Sequence, residues 1–109
     1  MVERFAFKVV TPDMQSLGLR KNPHILTFQP GEWLSLPDDQ IVQGRGVWGG
    51  IWAAAKIGGA NTLVKYMADQ YDLKCRLFRA QIGKVLYENS YRVKTDRILL
   101  VQELSTTHT

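Results

Sequence analysis

The chain holds one cysteine, Cys75, among 109 residues, so no disulfide can form within it. Its only histidines are His24 and His108. With one thiol and two distant imidazoles, the clustered donors of a metal site are missing. No run approaches the roughly 20 apolar residues that span a bilayer. Met1-Val2-Glu3-Arg4 opens the chain without the apolar core of a signal peptide. The expectation is a cytoplasmic protein with no membrane partner and no cofactor. Catalytic signatures are also absent. There is no G-x-x-x-x-G-K-[ST] phosphate loop, no G-x-S-x-G elbow and no H-E-x-x-H. A Cys75–His24 pair needs the fold to join them, and Glu32 and Glu88 are candidate acids without a visible partner. Asp38-Asp39 reads as a solvated turn. Cys75, flanked by Lys74 and Arg76, reads as a small buried residue of a strand.

Acidic residues are scarce in the last third. Between Lys74 and Arg97 seven basic residues face only Glu88 and Asp96, a net +5, while the rest of the chain nets −1. Such asymmetry points to an anionic partner. Arg76, Phe78, Arg79, Tyr91, Arg92, Lys94 and Arg97 interleave bases with aromatics there. Cations neutralise phosphates and exposed rings stack on bases, so these are the candidate nucleic-acid-binding residues. A solvated outer face covered by arginine stems would have the same composition.

Hydrophobic content of 45 % suits a single domain over 1–104, followed by a frayed polar tail at 105–109. Phe5 to Val10 reads as a strand ended by Thr11-Pro12-Asp13. Short strands are expected at His24 to Phe28 and Glu32 to Leu36, either side of Gln29-Pro30-Gly31. Val47 to Ala55 reads as a buried strand. Asn61 reads as an N-cap for a helix over about Thr62–Tyr71, with Leu63, Val64, Met67 and Tyr71 on one face and Asp72 closing it. Lys74 to Ala80 alternates, with Cys75 and Leu77 on one face and Arg76 and Phe78 on the other. Ile82 to Tyr87 follows around Gly83, and Tyr91 to Leu104 is one long strand or a pair bent at Asp96. The fold class is α+β: a mostly antiparallel sheet, barrel-like if it curls far enough to close, with one main helix.

Six of nine glycines fall between Gly44 and Gly59, with Trp48 and Trp52 among them. Gly44-Arg45-Gly46-Val47-Trp48-Gly49 fits G-x-G-x-x-G, but no buried strand precedes it and no long helix follows, which argues against a dinucleotide fold. Rings beside glycines suggest close backbone packing, with at least one of Gly49 and Gly50 buried or at an unusual φ. Gly44, in a polar loop, is expected to tolerate alanine. Gly58-Gly59-Ala60-Asn61 leads into the helix, whose free amides attract anions.

The first expectation is a non-enzymatic binding module that engages an anionic partner, nucleic acid foremost, through strands 74–97. The alternative is a small enzyme or nucleotide- or metabolite-binding domain with its pocket at 44–61. Arg45, Trp48, Gly49, Gly50, Trp52, Lys56 and Asn61 are its candidate residues. A third possibility is a homo-oligomeric interaction subunit that pairs through an edge strand.

Overall fold

Alternating side chains make Arg4–Val10 a strand with two useful faces: Ala6 and Val10 on one, Phe7 and Val9 on the other. This strand, β1, lies at the centre of a seven-stranded antiparallel sheet. The computed structural model describes residues 3–18 and 25–106. The other strands are β2 (Trp33–Ser35), β3 (Ile51–Ala54), β4 (Arg76–Ile82), β5 (Val85–Glu88), β6 (Arg92–Thr95) and β7 (Arg97–Leu104), with one helix, α1 (Ile57–Tyr71), between β3 and β4. Their order is β2-β7-β4-β1-β3-β6-β5, open at β2 and β5. The fold is α+β and mostly sheet, and the sheet does not close into a barrel.

Residues 76–104 form one long hairpin with a sharp bend. Asp96 separates β6 from β7, and Gly83-Lys84 separates β4 from β5. Thr95, fully buried, pins the bend by donating its hydroxyl to the Lys84 carbonyl (2.8 Å), with the Arg97 carbonyl 3.2 Å from the same oxygen. The Asp96 carboxylate accepts from the Lys84 amide at 2.8 Å. The outer half of the hairpin, β4 and β7, continues onto β1, whereas β5 and β6 continue onto β3. Arg4 on β1 pairs with Glu88 on β5, three strands away. β4 and β5 stand four strands apart, about 19 Å in a flat sheet, yet only Gly83-Lys84 joins them, a reach of at most about 11 Å. The sheet is therefore curled, and its concave side holds Val10, Ile51, Phe78, Ile98 and Leu100.

α1 covers the other face. Ala60, Val64 and Met67 recur at helical spacing and pack against Val9, Cys75 and Leu77. The helix begins at Ile57, not near Thr62, and Lys56 is its N-cap without a side-chain capping bond. Asn61 therefore lies inside the helix and does not cap it. Asp72 ends it in the left-handed conformation (φ 51°), and its amide donates to Ala68 at 3.1 Å. Tyr71 is exposed and meets Tyr66 edge to face instead of joining the buried stripe.

The expected strand at 24–28 begins outside the described residues, and Thr27 makes only an isolated bridge to Gln15. The expected strand at 47–55 shortens to β3, because residues 41–50 form an irregular loop. No helix opens at Gly49, as the dinucleotide reading would require.

Candidate functional site

The glycine loop is packed shut at its centre. The Val42 amide donates to the Gly49 carbonyl at 2.9 Å, folding the loop on itself. Gly49 is buried with φ +89°, and a Cβ there would lie 2.5 Å from that of Val42. Gly50 lies against the stem of Lys94, 2.4 Å from Cγ to where its own Cβ would be. Lys94 is fully buried and reaches through to donate Nζ to the Gly44 carbonyl at 3.0 Å. Burial lowers its pKa. Lys94 thus braces the loop from beneath. Gly44 has φ +100°, which overturns the expectation that alanine is tolerated there.

Beyond this seal the structure opens. Trp52 on β3 donates its indole N–H to the Val47 carbonyl at 3.0 Å. Its ring lies edge to face with Tyr87, and the Arg92 guanidinium lies 4.2 Å from its centroid. The adjoining ladder is short. β1 pairs with β3 only at Phe7–Ala54, whereas it pairs with β4 at seven positions. Across this seam Lys8 donates Nζ to the Trp52 carbonyl at 2.6 Å.

A cavity of about 460 Å³ occupies the seam. β1 supplies Phe7, Lys8 and Val9; β3 supplies Ile51 to Ala54. The first turns of α1 add Gly59, Thr62, Leu63 and Tyr66. Ser16 to Gly18, Val47, Tyr91 and Arg92 complete the wall. Among these residues the only charged side chains are Lys8 and Arg92, both cationic. Lys8 lies 5.3 Å from the Phe28 centroid, and burial lowers its pKa to about 8.

Comparison with known protein families, curated proteins and solved structures finds no match. The geometry alone bears on function.

The structure divides the residues singled out from sequence. Of the pocket set only Trp52 lines the cavity. Trp48, Arg45 and Lys56 are exposed outside it, Gly49 and Gly50 form the packed floor of the loop, and the Asn61 Oδ1 is buried in α1 without a partner. Of the basic set, Tyr91 and Arg92 join Trp52 at the cavity, with Tyr91 81 % exposed at its rim. Phe78 is 2 % exposed and belongs to the core, so it cannot stack on a base. Arg76 makes a two-pronged pair with Glu103 (2.9 and 2.7 Å), which holds the Glu103 carboxyl below its ordinary value. Arg79 stacks on Phe5 at 3.7 Å, and Arg97 sits over Trp33 at 4.9 Å.

Sequence reasoning missed Lys8. A signal was available: period-two alternation puts it on the same face as buried Ala6 and Val10, an unusual place for a lysine. Cys75 is buried, and that burial raises its thiol pKa, so it is not an activated nucleophile. Among the described residues no three His, Cys, Asp or Glu side chains cluster. His24 and His108 lie outside the described residues, and any Cys75–His24 pair with them. No described helix is long and apolar enough to cross a membrane.

Proposed function

We propose that the protein is a binding module for a small anionic molecule with a flat apolar body, held in the cavity between β1, β3 and α1. One observation carries this: the described wall is apolar and aromatic, and its two charged groups are both positive. Lys8, with a pKa of about 8, is mostly protonated at neutral pH. In such surroundings a cation holds an anion far more strongly than at the surface, because water screens it less. Trp52 gives the apolar body a ring to lie against, and Arg92 sits on that ring.

This reading stands above a nucleic-acid surface on strands 74–97. Phe78 and Lys94 are buried there, and Arg76 is engaged by Glu103. Those residues are spent on the fold.

Trp52 provides the assay. Its fluorescence should respond to small aromatic carboxylates and phosphates, and neutral isosteres should bind about tenfold or more weakly. Arg92→Met should weaken the anions and leave the isosteres nearly unaffected. Equal binding of charged and neutral members would sink the reading, as would a panel that leaves Trp52 silent.

A further inference from the structure

Lys8 meets no opposite charge among the described residues. Its Nζ has one hydrogen bond, to the Trp52 carbonyl, and a Phe28 ring beside it. An ammonium carries three N–H groups, and here one of them has a partner among the described residues. In the minor neutral form one N–H can keep the carbonyl, and the lone pair is available. Lys8 and Trp52, whose carbonyl holds the amine, are both among the residues that line the cavity. Lysines serve as imine-forming nucleophiles where apolar surroundings favour the free amine.

We propose that Lys8 is a covalent anchor that condenses reversibly with the carbonyl carbon of an anionic aldehyde or ketone bound in this cavity, while Arg92 holds the anionic end. This rests on the cavity being the ligand site. The neutral Nζ attacks the carbonyl carbon, giving a carbinolamine. The two N–H protons and the carbonyl oxygen then leave as water, the C–O bond breaks and a C=N bond forms. No electron is gained or lost, and water reverses the step.

The surroundings fit. Burial puts the Lys8 pKa at about 8, so about a tenth of it is free amine at pH 7, against less than a thousandth of an ordinary lysine. The other titratable or charged side chains around the cavity are Tyr66 on α1, and Tyr91 and Arg92 at the start of β6. β3 and Ser16 to Gly18 contribute none.

The experiment uses para-formylbenzoate as probe, with cyanoborohydride to reduce any imine, followed by peptide mass mapping. Lys8 should be labelled at least tenfold faster than Lys65, an exposed lysine on α1 paired with Asp69. The rate at Lys8 should level off above about pH 8, while that at Lys65 keeps rising toward pH 10. Lys8→Arg should remove the fast adduct. Mapping the unaltered protein carries the test if that variant fails to fold. In parallel, para-(hydroxymethyl)benzoate, which has the same ring and anion but no carbonyl, is titrated by Trp fluorescence. If it binds and Lys8 is labelled no faster than Lys65, the covalent anchor is overturned and the anion-binding reading stands. If it fails to bind and Lys8 is not labelled, both fall.

Discussion

A methyl group on Gly49 would lie 2.5 Å from the Cβ of Val42 and 2.7 Å from its backbone nitrogen, at φ +89°. Both the contact and the dihedral oppose it, so Gly49→Ala should cost about 2 kcal/mol or more. At Gly50 the obstacle is the Lys94 stem. That stem cannot swing away, because Lys94 is buried and its Nζ is held by Gly44. Gly50→Ala should cost about 1–2 kcal/mol, since Lys94 must give up its place or the strand must shift. Gly44 has open space around it but φ +100°, so its alanine variant pays for the dihedral alone, about 1 kcal/mol. Gly46, with open space and no left-handed dihedral, should change by less than about 0.5 kcal/mol. Urea melts of the four variants give the ranking. A Gly49→Ala protein that melts like the parent would show that the loop is not packed as described. Composition alone pointed to the Gly49-Gly50 packing. The dihedral of Gly44 was hidden, because it follows from the long-range hold of Lys94 and from the Gly44 amide on Leu86.

At the scale of elements, alternation was a good guide to strands and a poor guide to where the helix starts. β1, β4 and the bend at Asp96 were legible because each switches faces every residue between turn formers. The start of α1 was not, since Gly58-Gly59 reads as a loop on propensity. Packing overrides it: Ala60 is fully buried one residue later, so the first turn is drawn onto the sheet. A consequence can be measured. Gly58 has nothing within 4 Å of an added Cβ and no left-handed dihedral. Gly58→Ala should therefore stabilise by about 0.5–1 kcal/mol through the lower entropy of the unfolded chain, a rise of a few degrees in Tm. Calorimetry decides it, and an unchanged or lowered Tm would argue against a helix beginning at Ile57. Gly59 is the instructive neighbour. It lines the cavity, with the Tyr91 carbonyl 4.0 Å from its Cβ position. Alanine there brings the same helix gain and places a methyl group in the wall.

At the scale of the molecule, the site arises from how two parts of one sheet meet. β1 sits in a full ladder with β4, and β4 with β7, whereas only Phe7–Ala54 joins β1 to β3. Lys8 and Trp52 are 44 residues apart and meet at that break. No local pattern in the sequence could have paired them, and the cavity at the seam shares only Trp52 with the residues that the Trp–Gly run suggested. The break should also govern motion. Each backbone hydrogen bond contributes about 1 kcal/mol net, so a ladder of one pair is several kcal/mol weaker than one of seven. Ile51, Ala53 and Val93 still pack into the shared core, which limits opening to the seam itself. Amides of β3, β5 and β6 should then exchange hydrogen as one group, at least tenfold faster than those of β1, β4 and β7. An anion that bridges Lys8 on one side and Arg92 on the other ties the two parts together. With saturating para-(hydroxymethyl)benzoate, exchange in β3 should slow while that in β4 stays unchanged. If β3 is as slow as β4 before any ligand is added, the seam is not a line of weakness, and the cavity must fill without opening it.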